Sequence, residues 1–248
     1  MISLIDTAKW QGFNPWTDYV GRDDIAGAFQ KGVHGTTPDP MWKSERERCI
    51  SRFTAEEFPL GVYGWWVPDA DPLAQADALA ACQVRDGDLP YVIDVEQTIP
   101  TIFGRRQIYA NRLRAYANRL QSKTGRVPVI YTGRWYWAET FGDQADDFAI
   151  YPLFHAEYTD ATVAHVARPW QAEVATPPEG VTFDPPRHVG WTFWQWKNNG
   201  VVLEGRRVDV DRFAGSRADL ATFIASTHVS GGPLAAPTVQ GFPTELTT

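Results

Sequence analysis

Cysteine is nearly absent from the 248 residues: only Cys49 and Cys82 occur. Two are too few for a disulfide framework, and they lack the C-x-x-C spacing of a metal site, so they read as unbridged thiols. Long apolar runs are also missing. Apolar runs are short pieces such as Tyr91–Ile93, far below the roughly 20 residues that span a bilayer, so no membrane insertion is expected. Positive charge is in the minority, with 23 Lys and Arg against 30 Asp and Glu, a net charge of −7. That balance argues against a nucleic-acid partner held by phosphate neutralisation. The opening Met1-Ile2-Ser3-Leu4-Ile5-Asp6 has no basic leader ahead of an apolar core, so no secretory signal is read there.

Hydrophobic residues make up 44% and charged residues 21%, close to globular averages, which excludes wholesale disorder and a fibrous repeat. What the chain has in excess is tryptophan, eleven in all. Flat aromatic faces hold sugar rings or bases, although part of such a set fills core.

Eight short β-type runs alternate with helical patterns: Ser3–Asp6, Ala28–His34, Leu60–Trp66, Leu89–Glu96, Val127–Thr132, Tyr151–Ala156, Gly190–Trp196 and Arg207–Val210. The clearest helix carries Tyr109, Leu113, Tyr116 and Leu120 on one face and stops at Gly125. Its arginines form a basic outer face that reads as solvated surface. Shorter helical crossovers are expected at Asp24–Ala28, Glu45–Phe53 and Leu73–Val84. Strand–helix alternation implies parallel pairing, hence an α/β fold. Helical periodicity fades later, and 168–187 carries five prolines. The expectation is an irregular TIM-like (β/α) barrel with fewer helices in the second half. It occupies residues 1–225 as one domain, followed by a linker-like tail at 226–248.

The strongest chemical signal is Pro90-Tyr91-Val92-Ile93-Asp94-Val95-Glu96, an apolar strand ending in two acids. Residues i and i+2 of a strand face the same way, roughly 6.6 Å apart. In a barrel, the C-terminal strand ends are where active sites lie. Taken alone, the pair could equally cap the next helix or meet Arg105 and Arg106. Asp6 ends the first run in the same manner, and Asp209 lies in the last. Barrel closure makes these two runs neighbours, so four acids converge on one mouth with no Lys or Arg expected in those strand ends. Crowded carboxyls hold at least one proton more tightly, which suits a proton donor. Metal binding is the rival use. The sequence has no D-x-D-x-D-G loop and no H-x-x-x-H pairing, so neither metal nor other cofactor is expected. A G-x-S-x-G elbow is also missing.

In order along the chain, these pieces resemble glycoside hydrolase family 25, the lysozymes that cleave the muramic-acid glycosidic bond of peptidoglycan. Ile5-Asp6-Thr7-Ala8-Lys9-Trp10-Gln11-Gly12 is similar to the family's D-x-S-x-x-Q/N-G opening, and Lys31-Gly32-Val33-His34-Gly35 to its K-A-T-E-G. Gly61-Val62-Tyr63-Gly64-Trp65 resembles G-x-Y-H-F, and Asp94-Val95-Glu96 resembles D-x-E. Pro128-Val129-Ile130-Tyr131-Thr132, Leu153-Phe154-His155-Ala156-Glu157-Tyr158, Trp194-Gln195-Trp196 and Val208-Asp209-Val210-Asp211-Arg212-Phe213 resemble P-x-I-Y-T, L-W-I-A-x-Y, W-Q-Y and V-D-x-N-x-F. Together they cover about residues 2 to 222.

The resemblance implies a TIM-like barrel with Glu96 as general acid. Asp94 serves as nucleophile, electrostatic partner or orienter of the substrate's acetamido group, and Asp6 and Asp209 support it. Substrate contacts are expected from Tyr63, Tyr131, Trp65, Trp66, Trp194, His34 and Gln195. Peptidoglycan glycan strands are the implied partner of a monomer. Its place of action is the bacterial wall, reached by phage lysis, on a virion, or as a fragment of a secreted protein. Three departures, His34, Gly64 and Phe154, are expected to line the cleft. His34 is read either as an imidazolium facing the acids or as a neutral ring packed on Tyr63 or Trp65. Two other classes remain in view: a family 18 chitinase, whose longer D-x-x-D-x-D-x-E run is missing, and a cell-wall binding module without turnover.

Overall fold

In the computed structural model, residues 2–97, 105–133, 136–137, 140–142, 148, 150–156, 191–203, 206–213 and 215–229 are described. Strands β1 (Ile2–Thr7), β2 (Ile25–His34), β3 (Thr37–Pro38), β4 (Leu60–Trp65), β5 (Tyr91–Asp94), β6 (Val129–Gly133), β7 (Leu153–Ala156), β8 (Phe193–Leu203) and β9 (Arg206–Phe213) form one sheet. Its order is β1-β9-β8-β7-β6-β5-β4-β2-β3, and a further β1–β2 pairing closes eight of the strands into a barrel. β3 only extends β2 as a short hairpin arm. The TIM-like α/β barrel read from the sequence is therefore the fold.

Two sequence expectations need correction. β9 runs antiparallel to both β8 and β1, so the barrel is not wholly parallel. β8 and β9 are separated by residues 204 and 205 alone, too short for the crossover that a parallel pair requires. The helix expected at Asp24–Ala28 is instead the start of β2. Ile25, Ala26 and Ala28 are all buried, and a strand covered on both faces has no polar alternation to separate it from a short helix.

Helices α1 (Trp16–Val20), α2 (Trp42–Ile50), α3 (Pro72–Ala80), α4 (Arg106–Thr124) and α5 (Arg217–Ser226) surround the barrel. α3 starts at an Asp71 side chain that accepts from the Leu73 N–H, with Pro72 in its first turn, the arrangement that satisfies free N-terminal donors. α4 ends at Gly125, whose φ of 67° places it in the left-handed region, where only glycine is unstrained. Part of α4's basic face is not mere solvated surface. Arg112 Nε donates to the Pro68 carbonyl at 2.7 Å, and Arg119 makes two hydrogen bonds to Asp77 on α3. Between β6 and β9, the described residues that are α-helical are 136, 137 and 140. The proline-rich stretch 168–187 lies outside the described residues, as does the tail from 230. Thr227–Val229 still pairs with the barrel base, where the Val127 and Val229 N–H groups bond Thr227 and Gly125 carbonyls.

The core has two layers. One lies between strands and helices, with Ile93, Val62, Leu79, Leu113 and Tyr116. The other fills the barrel, where Leu4, Phe29, Val92, Phe154, Phe193 and Phe213 meet, and Leu220, Phe223 and Ile224 of α5 close the base. Phe29 reaches across the barrel to Phe154 and Phe193, with ring centroids 5.5 and 5.3 Å apart. Each such buried ring contributes on the order of 1.5–3 kcal/mol.

Candidate active site

Inward-facing positions recur every second residue along each strand, and they change character from base to mouth. Leu4 precedes Asp6 in β1, Val92 precedes Asp94 in β5, and Phe193 precedes Gln195 in β8. β9 enters from the mouth, so its order is reversed: Asp209, Asp211, Phe213. Register agrees, with Asp6 opposite Asp209, Leu4 opposite Asp211, and Phe193 opposite Phe213. Extended geometry also continues past β5. The Val95 N–H donates to the Tyr131 carbonyl at 2.8 Å, and Thr132 Oγ1 donates to the Val95 carbonyl at 2.8 Å. Glu96 is thus presented on the same side as Asp94.

The four sequence-selected acids come together. Asp6 and Asp94 are buried, while Glu96 and Asp209 are half-buried. Burial is the main cause that raises the Asp94 carboxyl well above the usual range, followed by repulsion from Glu96; Lys31 opposes both. Glu96 is raised by burial and Asp209, again against Lys31. Asp6 is raised by burial, Asp209 and Glu96, while hydrogen bonds from Gln195 and Asp211 pull it down.

A relay of hydrogen bonds crosses the mouth. Tyr131 Oη donates to Gln195 Oε1 at 2.7 Å, and Gln195 Nε2 donates to Asp6 Oδ2 at 2.6 Å. Below it, Asp6, Phe29, Tyr63, Val92, Asp94, Tyr131, Phe154 and Gln195 line a cavity of about 50 Å³. Above it lies a cleft of about 250 Å³ whose walls include Trp10, Lys31, Tyr63, Trp65, Asp94 and Asp209.

Several expectations change at this site. Trp66 and Trp194, expected to stack on substrate, are wholly buried between strands and helices. Trp66 lies against Phe141, and Trp194 against Trp191 and Arg212. Trp65 alone of these three faces the cleft, with its indole N–H donating to Gln97 Oε1 at 3.0 Å. Strand alternation separates Trp65 from Trp66.

Nor are the acids without a cation. Lys31 of β2 sits with Nζ 4.7 Å from the Trp65 ring centre and 5.8 Å from that of Tyr63, and its field reaches Asp94 and Glu96. Lys31 also bears on His34. Its ring stacks on Trp65 at 5.6 Å and 9°, and burial, Lys31 and Lys9 lower its pKa. Exposed at the end of β2 and stacked on Trp65, it shifts in the direction opposite to that of an imidazolium held by the acids.

Gly64 does not line the cleft. A Cβ there would point outward, 2.9 Å from Val33 Cγ2, 3.0 Å from Tyr116 Oη and 3.1 Å from Leu79 Cδ2. Phe154 does face the inner cavity. Cys49 and Cys82 are free thiols, buried away from the mouth.

Lys31, Asp211 and Trp10 are not among the site residues expected from the sequence. Trp10, 79% exposed with Lys9 Nζ 4.4 Å over its ring, sits on a 3₁₀ turn at the cleft's edge, and a turn carries no periodicity to flag it. Asp211 had a readable signal, since it stands two residues beyond Asp209 just as Glu96 does beyond Asp94.

A sequence profile described as Glycosyl hydrolases family 25 matches residues 5–205. No curated protein matches the chain. Solved structures share the fold. The bacterial lysozyme from Streptomyces coelicolor is 22% identical, with a TM-score of 0.72 over 91% of this chain and 98% of that one. A muramidase from Acremonium alcalophilum is 23% identical, with a TM-score of 0.68 over 91% of this chain and 100% of its own. The catalytic domain of an endolysin from a Listeria monocytogenes bacteriophage is 15% identical, with a TM-score of 0.60 over 90% and 97%.

Proposed function

The chain belongs to glycosyl hydrolases family 25 and is a glycoside hydrolase of peptidoglycan, and on that premise we propose the roles of its residues. Glu96 is the general acid that protonates the leaving oxygen between N-acetylmuramic acid and N-acetylglucosamine. The observation that carries this is its setting: a half-buried carboxyl whose hold on its proton is strengthened by burial and Asp209, against the pull of Lys31, beside Asp94 at the barrel mouth. A proton donor working near neutral pH needs such a raised carboxyl.

As the bond to the leaving oxygen breaks, positive charge grows on the anomeric carbon and ring oxygen. The cluster of Asp94, Asp6 and Asp209 supplies the opposing field. Asp94 orients the sugar's 2-acetamido group, whose carbonyl oxygen attacks the anomeric carbon. That attack closes a five-membered oxazolinium ring as the leaving oxygen departs with the proton of Glu96; water then attacks the anomeric carbon, breaking its bond to the acetamido oxygen and giving its proton to Glu96, with net retention. Lys31 pulls the Asp94 carboxyl toward its ionised form. Tyr63 and Trp65 flank the sugar, and Tyr131 acts through Gln195 on Asp6.

The mouth is built from strand ends of one chain, which supports action as a monomer. Likeness to a bacteriophage endolysin's catalytic domain supports delivery by phage lysis or on a virion. The deciding experiment digests purified bacterial walls and identifies the new reducing ends. Muramic-acid ends are expected. Glucosamine ends would move the cleavage to the other linkage, and no new ends would contradict hydrolysis.

A further inference from the structure

Asp211 is wholly buried, one layer below the mouth and opposite Leu4. Both of its carboxyl oxygens are sealed from solvent and meet no protein donor. Its hydrogen-bonding neighbour is another carboxyl, Asp6. An ionised carboxylate can only accept. Two carboxyl groups in contact, one of them sealed from water, therefore need a proton between them, as like charges packed this closely do not both ionise.

The surroundings decide which of the two holds it. Asp6 Oδ2 accepts from Gln195 Nε2 at 2.6 Å, a bond that favours the ionised form of Asp6. Asp211 faces Asp6 from β1, Asp209 from its own strand and the apolar layer around Leu4, all of which disfavour its charge. Gln195, its cross-strand neighbour on β8, donates an amide N–H to Asp6 and accepts from Tyr131 at its carbonyl.

We propose that Asp211 is a positioning residue, a neutral carboxylic acid that donates a hydrogen bond to Asp6 from below and so holds that carboxylate under the reacting sugar. Asp6 is then fixed from two sides, by the amide of Gln195 and the hydroxyl of Asp211. The inference rests on the reading of this mouth as the hydrolytic centre. Neutral Asp211 also keeps a further negative charge out of the apolar layer.

The test compares Asp211→Asn and Asp211→Val. Asn keeps a permanent donor in nearly the same shape, whereas Val keeps the branched shape and loses the donor. Wall hydrolysis is measured as kcat and KM separately, melting temperature reports the fold, and infrared spectroscopy of the free enzyme counts neutral carboxyl groups. We expect Asn to stay within about threefold of the parent kcat, and Val to melt at or above the parent temperature. Val should still lose about tenfold or more in kcat, the effect of one hydrogen bond to a charged group, with KM unchanged because Asp211 does not touch the cleft. One neutral-carboxyl band present in the parent should vanish in Asp211→Asn. Val at full kcat, Asn as impaired as Val, or an unaltered infrared spectrum would each overturn the proposal. The infrared result does not depend on turnover, so it stands or falls apart from the hydrolytic reading.

Discussion

At the scale of single residues, two adjacent tryptophans divide into two jobs. Trp65 presents a ring to the cleft beside Lys31, while Trp66 has no exposure at all. Trp65→Ala should raise KM on wall glycan several-fold with little change in melting temperature, since one stacking face is worth about 1–3 kcal/mol. Trp66→Ala should destabilise by about 3–5 kcal/mol through cavity formation and leave KM near the parent value in whatever remains folded. Kinetics and thermal melts on the two variants check this; the reverse pattern would contradict the strand register. Residue identity reveals acids and aromatics but not which way a ring at a strand end points. That is why Trp65 is legible as a cleft residue, while Trp66 and Trp194 turn out to be core. His34 departs from one of its two readings for a related reason. Its partners come from Lys31, Lys9 and Trp65, and the strand alone names the acids but not the lysine between.

At the scale of elements, β1, β5, β8 and β9 are graded from apolar base to polar mouth, and that grading is largely legible in the sequence. Val92, Asp94 and Glu96 form one inward row by their two-residue spacing alone. The direction of β9 is not legible in the same way, because pairing direction depends on the two-residue connection and not on the strand's own pattern. β4 shows the other face. Gly64 turns outward into the helix layer, where Val33, Tyr116 and Leu79 leave no room for a Cβ. Gly64→Ala should therefore cost about 1–3 kcal/mol by overpacking, measured as a lowered denaturation midpoint. Its kcat at a temperature well below melting should be unchanged. A variant that stays fully stable but loses activity would mean that position 64 does face the sugar.

At the scale of the whole molecule, charge is distributed unevenly, and the pH dependence of stability follows. Asp6, Asp94, Glu96 and Asp211 are all raised above their usual values in the folded chain, chiefly by burial. The folded state therefore binds more protons than the unfolded one from about pH 4 upward. The stability those groups contribute is complete below that point and is lost as pH rises through their folded values. Asp24, Glu57, Asp77 and Asp219 are lowered by local hydrogen bonds and act in the opposite sense, below about pH 4. They are exposed or half-exposed and screened by solvent, so their share is small. Melting temperature should peak in mildly acidic buffer and fall steadily toward pH 8. A melting temperature that climbs from pH 5 to pH 8 would show that these buried carboxyls are not raised in the folded chain.

The central claim is that Glu96 supplies the proton for glycosidic cleavage, and Glu96→Gln tests it most directly, since the amide keeps the shape and removes the acid. Initial rates of wall hydrolysis by parent and variant, at equal concentration and with matching thermal melts, should differ by at least about 100-fold. A folded Glu96→Gln protein that retains more than half of the parent rate would contradict the assignment.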